Sequence, residues 1–112
     1  MALRCEMIEI EIFGNSNGKE PFTEWFNNLR DTIARIKIRQ RLDRMTKGNF
    51  GDVESIGEGV SEAKIDYGPG YRIYFAHLGK KKILILYGGD KSTQKKDIKK
   101  SHEYYKEFKS GE

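Results

Sequence analysis

Hydrophobic and polar positions alternate most clearly between Ser61 and Tyr87. Ala63, Ile65 and Tyr67 interleave with Glu62, Lys64 and Asp66, the period-two signature of a half-buried strand. Gly68-Pro69-Gly70 then imposes a turn, because proline fixes φ and the glycines admit conformations closed to other residues. Tyr71 to Leu78, aromatic and β-branched, reads as the returning strand of a hairpin. After Gly79 and three lysines, Ile83 to Tyr87 is apolar at every position, as expected of a strand covered on both faces. Gly88-Gly89-Asp90 closes it, and Ser92 or Thr93 is placed to cap a following helix.

Upstream, Met7, Ile8, Ile10 and Ile12 interleave with Glu9 and Glu11, so Glu6 to Phe13 predicts a first strand, ended by Gly14-Asn15-Ser16-Asn17-Gly18. Pro21 suits a first helical turn, and Phe22, Trp25, Phe26 and Leu29 recur at spacings of three and four. Their aromatic side is expected to pack on the sheet as core. Asp31 or Thr32 caps a second helix running to about Lys47. Leu29, Ile33 and Ile36 give it an apolar stripe, continued by Ile38, Leu42 and Met45. The two helices, meeting near Arg30 and Asp31, form a hairpin across one sheet face. Phe50 to Gly59 holds at most a short strand around Val53 to Ile56. Thr93 to about Lys109, with Ile98, Tyr104, Tyr105 and Phe108 at near-helical spacing, predicts a C-terminal helix. The order β-α-α-β-β-β-β-α predicts an α+β domain with a small, mostly antiparallel sheet.

Length and composition narrow the classes. The 112 residues suffice for one core, so a single domain over 1–112 is expected. No run approaches the roughly 18 apolar residues of a membrane span, and the N-terminus lacks the apolar centre of a signal peptide. A single cysteine, Cys5, forms no internal disulfide and reads as incidental, so the cytoplasm is the expected compartment. The formal net charge of +4 is unevenly spread. Residues 1–27 carry two basic residues against five glutamates, residues 28–47 seven against two acids, and residues 91–109 seven lysines against three acids. Arg35, Lys37, Arg39, Arg41 and Arg44 on the second helix, with Lys95 and Lys96 on the last, are candidate contacts for a polyanion such as RNA. Solvated helix faces are the plainer alternative.

His77 and His102 are isolated from cysteine and from any repeated carboxylate spacing, so no metal site is expected. Gly88-Gly89-Asp90-Lys91-Ser92-Thr93 shares its last letters with a phosphate loop, but Leu84 stands where the first glycine is required. The remaining chemistry is cationic: Lys64 on the outward side of its strand, Arg72 just past the hairpin turn, and Lys91 just past the last strand. If turns bring them together, they suit a phosphodiester, since an arginine holds phosphate through parallel hydrogen bonds and stabilises transition-state charge. A lysine crowded by cations is expected to have a lowered pKa and to exchange protons near neutrality. RNA supplies its own nucleophile, the 2′-hydroxyl, so cleavage needs no metal. Cross-strand pairing with Glu62, Asp66 and Asp90 is the competing explanation of these cations.

Ala63-Lys64-Ile65-Asp66-Tyr67-Gly68-Pro69-Gly70-Tyr71-Arg72-Ile73-Tyr74-Phe75 and Leu86-Tyr87-Gly88-Gly89-Asp90-Lys91-Ser92-Thr93-Gln94, then Lys96-Asp97-Ile98, resemble the RelE/ParE toxin superfamily. The nearest branch is HigB-like, the phage-derived addiction module killer proteins; the Phe22-x-x-Trp25-Phe26-x-x-Leu29 pattern agrees. The resemblance implies the toxin of a type II toxin–antitoxin pair, a ribosome-dependent mRNA endonuclease without a cofactor. Its partners would be a small acidic or helix-turn-helix antitoxin, the ribosome and mRNA, with operator DNA reached only through the antitoxin complex. It points to Lys64, Arg72 and Lys91 as catalytic but assigns no general acid or base; Asp66, Asp90, Tyr71, His102 and Tyr104 are the candidates for supporting or acid–base groups. The chain departs from RelE at Glu62, where a second lysine would stand, and offers Asp97 or Tyr104 in place of the terminal-helix tyrosine. Two rivals are a non-nucleolytic gyrase inhibitor, as in ParE-like members, and a basic RNA-binding or interaction module.

Overall fold

The computed structural model describes residues 7–111, so Cys5 and the expected strand start at Glu6 lie outside the described residues. The elements are β1 (Glu9–Ile12), α1 (Pro21–Asn27), α2 (Thr32–Thr46), β2 (Val53–Ser55), β3 (Val60–Ile65), β4 (Tyr71–His77), β5 (Lys82–Gly89) and α3 (Gln94–Ser110), with a one-turn 3₁₀ helix, Lys91–Thr93, before α3. They form an α+β structure around one five-stranded sheet of order β1-β5-β4-β3-β2. Three of the four pairings are antiparallel; β1 alone runs parallel to its neighbour, β5. The sheet is therefore mixed. Among the described residues no helix is long and apolar enough to cross a membrane.

Strand alternation sends side chains to two faces, and helices cover both. Ala63, Ile65, Ile73, Phe75, Ile83 and Ile85 pack beneath Phe22 of α1 and Ala34, Ile38 and Met45 of α2. Val60, Tyr74, Ala76, Leu84 and Leu86 meet Ile98, Tyr104, Tyr105 and Phe108 of α3 on the other side. Tyr74 pairs with Tyr87 and Phe75 with Ile85, so Leu86 is the extra residue of a β-bulge. That extra residue lets Leu86 and Tyr87 both face α3.

Two expectations change here. β3 is covered on both faces, so Glu62 is buried with 1% of its surface exposed rather than lying on a solvated side. In α2 the inward face is Ala34, Ile38, Arg41 and Met45, spaced by four, three and four residues, while Ile33 and Ile36 are 54% and 46% exposed. The cap explains part of this. Asp31 accepts from the N–H groups of Ile33 and Ala34, and its other oxygen accepts from the Tyr67 hydroxyl at 2.9 Å. That contact ties the β3–β4 turn to the start of α2. Asp90 caps the 3₁₀ turn that precedes α3, accepting from Ser92 N–H at 2.8 Å, while Thr93 stands at the start of α3 and its hydroxyl donates to Asp97.

Candidate functional site

The β3–β4 hairpin sets Lys64 directly opposite Arg72, and Arg72 in turn stands opposite Gly89 of β5. The chain leaves β5 through Asp90 to Lys91, whose N–H donates to Pro69 in the hairpin turn at 3.3 Å. Lys64, Arg72 and Lys91 consequently line one pocket of about 300 Å³, with Asp52, Asp66 and Gly70. Gly70 has φ of 80°, and its carbonyl accepts from Arg72 Nη1 at 2.6 Å. A Cβ there would lie 3.0 Å from the same nitrogen, so the turn glycine serves both backbone and cation.

The electrostatics differ from the sequence expectation. Lys64 Nζ lies 2.8 Å from Glu54 Oε2, and this hydrogen-bonded carboxylate raises the lysine pKa rather than lowering it. Lys64 therefore stays charged at neutral pH. Cross-strand geometry is the reason: Glu54 on β2 pairs with Glu62, one pleat from Lys64, and its side chain reaches the ammonium. The same contact holds the Glu54 carboxyl below its ordinary value.

Arg72 is almost enclosed, its side chain 11% exposed, with Nε 3.4 Å from Glu62 Oε2. The two are within ion-pair distance but not aligned for a hydrogen bond, and Glu62 Oε1 also lacks a partner among the described residues. Glu62 Oε2 instead accepts from Tyr74 Oη at 3.0 Å and Gln94 Nε2 at 2.9 Å. Burial, then the adjacent carboxylate, push the Tyr74 hydroxyl far above its usual range. The arginine thus arrives in the pocket from a polar cage contributed by β3, β4 and α3.

The other candidates divide. Asp66 is exposed on the pocket rim, and Asp90 turns its carboxylate to the helix start it caps. Tyr71 points to the opposite sheet face, buried between Trp25 and Tyr67. His102 is held at the β2–β3 turn, where Nε2 donates to the Ile56 carbonyl at 2.9 Å and Nδ1 lies 3.1 Å from Glu58. Tyr104 stacks on Phe13 and meets Tyr87 edge-on, outside the cationic pocket. Tyr71, His102 and Tyr104 therefore contribute no side chain to this pocket.

Among the helix cations, Arg41 is internal: Nη2 donates to the Lys64 carbonyl at 2.7 Å and Nη1 to the Phe50 carbonyl at 3.4 Å. It braces β3 from beneath. Arg35 is half-buried, and Lys37, Arg39 and Arg44 are exposed, Lys37 lying over the Tyr67 ring and Arg39 over that of Phe26. Lys37 and Arg44 line an adjoining pocket with Asp66, extending the basic rim along α2. Lys95 and Lys96 are exposed on α3, across the sheet. The two basic helices therefore present separate surfaces.

Glu54, Asp52, Tyr74 and Gln94 escaped sequence reasoning. Their signal was indirect: a strand apolar at every position, Ile83 to Tyr87, requires cover on both faces, which places Glu62 and its partners inside. No family model matches the chain. An uncharacterized protein of Haemophilus influenzae is 44% identical over 80 residues, which is 71% of this chain and 81% of the relative. That identity runs through most of both sequences, and the chain belongs to the same family as the Haemophilus influenzae protein.

Proposed function

We propose that the protein is the toxin of a type II toxin–antitoxin pair, with a RelE-like fold, cleaving messenger RNA on the ribosome in the cytoplasm. The observation that carries this reading is the convergence of Lys64, Arg72 and Lys91 on one pocket, built by cross-strand pairing and the exit from β5. In the cleavage step the RNA 2′-oxygen attacks the adjacent phosphorus and the P–O5′ bond breaks. The 2′-hydroxyl proton passes to a base, for which the rim carboxylate Asp66 is placed, and O5′ takes a proton from solvent. Arg72, with Nη1 on Gly70, has Nη2 for a phosphate oxygen; Lys91 and Lys64 add positive charge where the phosphorane gains negative charge. None of these groups enforces in-line geometry by itself. The ribosome supplies orientation, which is worth several kcal/mol of a barrier. A small antitoxin would neutralise the positive pocket, and the pair would reach operator DNA together.

The test compares one message free in solution with the same message in a programmed ribosome, mapping new 5′ ends. Ribosome-dependent cuts that fall about a hundredfold in Arg72→Ala, equivalent to about 3 kcal/mol, are expected. Equal cleavage of naked RNA would overturn the dependence. One observation favours a second reading, RNA binding without cleavage: Lys64 and Arg72 are each already engaged by a carboxylate. Retention of the protein on RNA with no new ends in any context would select it.

A further inference from the structure

A second pocket, of about 450 Å³, opens where β1 stops. β1 pairs with β5 only from Lys82 to Ile85, yet β5 continues to Gly89, leaving its far end without a strand on that side. Trp25 from α1 fills the approach beneath Gly88, where a Cβ would lie 2.3 Å from the indole ring. Tyr87 and Tyr104, at right angles with centroids 5.5 Å apart, come from the other side. Together the three aromatic residues line the pocket with Lys19, Lys100 and Asn28.

The chemistry of this lining is selective. Each of the three aromatic residues is only partly buried. Among the described residues neither phenol hydroxyl, nor the indole N–H, nor the Asn28 side-chain amide has a hydrogen-bond partner. Lys100 Nζ stands 5.8 Å over the Tyr87 ring, and Lys19 is held nearby by an asparagine turn in which Asn15 Oδ1 accepts from Asn17 and Lys19 N–H. Glu24 is the one carboxylate in the lining, so the pocket remains net positive. Flat apolar surface, unpaired donors and two ammonium groups match a planar heterocycle carrying a phosphate. Aromatic side chains on which bases stack, beside cations that follow the backbone, are the usual means of holding single-stranded RNA.

We infer that this pocket is a nucleotide subsite that stacks one base of single-stranded RNA, with Lys19 and Lys100 on its phosphate. The inference rests on the RNA reading of the cationic pocket. Tyr87 of this pocket lies two residues before Gly89 on β5, and Gly89 stands opposite Arg72 of the cationic pocket, so the two pockets are neighbours on the sheet. One extended strand spans both, and the subsite would set which base lies a fixed distance from the scissile phosphate.

Trp25 is the only tryptophan in the chain, which makes its fluorescence a local probe. The experiment titrates the full-length protein with a short single-stranded oligoribonucleotide, with uridine monophosphate and with inorganic phosphate. Saturable quenching by the oligoribonucleotide, weakened about tenfold by Lys100→Ala and by Asn28→Ala, is expected. Absence of quenching, quenching matched by inorganic phosphate, or quenching by uridine monophosphate but not by RNA would each overturn the assignment. So would unchanged affinity in both variants. Quenching by RNA in a protein that never cleaves would leave this subsite standing and remove the nuclease reading. Ribosome-dependent cleavage without quenching would do the reverse.

Discussion

Glu62 accepts hydrogen bonds from Tyr74 and Gln94 and lies 3.4 Å from Arg72 Nε, while only 1% of its own surface is exposed. Removing one partner of such a pair strands a charge in the interior, so Arg72→Ala is expected to cost about 3 kcal/mol of stability besides its effect on cleavage. Glu62→Gln with Arg72→Ala leaves no buried charge. Urea unfolding should show most of the stability restored in the double variant, with cleavage still lost; restored cleavage would detach Arg72 from the chemistry. Asp97 is a second buried carboxyl, 2% exposed, and burial raises its pKa against the opposing pull of the Thr93 hydrogen bond and Lys96. The folded protein therefore holds this proton at pH values where the unfolded chain, near the ordinary 3.8, has lost it. Stability from this group falls as pH rises from 3.8 through the raised folded value, and stays lower above it. Asp97→Asn is expected to unfold at higher urea than the parent at pH 7, with the advantage vanishing near pH 3.5. An equal advantage at both pH values would show that titration is not its source.

Helix α2 shows how an element's existence is more legible than its orientation. Its start at an acidic cap and its stop at Gly48 follow from the sequence, but the apolar stripe expected through Ile33 and Ile36 is not the buried one, which runs through Ala34, Ile38 and Met45. Arg41 decides between them by reaching the Lys64 and Phe50 carbonyls, which draws Ala34, Ile38 and Met45 inward and turns Ile33 and Ile36 outward. Ile38→Ala is accordingly expected to cost about 2–4 kcal/mol, and Ile33→Ala and Ile36→Ala to stay within about 0.5 kcal/mol of the parent. Matching urea midpoints for all three would refute the observed roll. At β5 the constraint is space. Gly88→Ala places a methyl 2.3 Å from the Trp25 ring, so α1 must shift, at a cost of about 1–3 kcal/mol with an altered Trp25 emission. Unchanged emission and stability would mean that α1 is not seated on β5 as described.

On the scale of the molecule, one sheet separates two basic helices, with α2 on one face and α3 on the other. Lys37 and Arg44 of α2 line a neighbouring pocket that shares Ile65 and Asp66 with the cationic pocket, whereas Lys95 and Lys96 of α3 line neither. The RNA reading then treats Lys95 and Lys96 as contacts independent of the pocket. Replacing both by alanine is expected to flatten the salt dependence of single-stranded RNA binding by about 1.4 in log–log slope, roughly 0.7 for each phosphate released. An unchanged slope would make these lysines solvated helix surface.

Short-range rules were enough for the elements, since alternation, caps and turn residues act over a few neighbours and need no knowledge of distant chain. They gave the hairpin turn through Gly68-Pro69-Gly70 as well, but left the adjacency of Lys64 and Arg72 conditional until the register set the two opposite each other. Lys91 joins them because β5 pairs with β4, which brings the exit of β5 to the same turn. What those rules could not reach was decided by contacts between residues far apart in the chain. Placement of α3 over the second face buried Glu62 and created its cage with Tyr74 and Gln94. Docking of β2 beside β3 brought Glu54 to Lys64 and reversed the expected direction of its pKa shift. A charge responds to whatever lies within a few ångströms, and those neighbours exist only once the sheet is assembled and both its faces are covered.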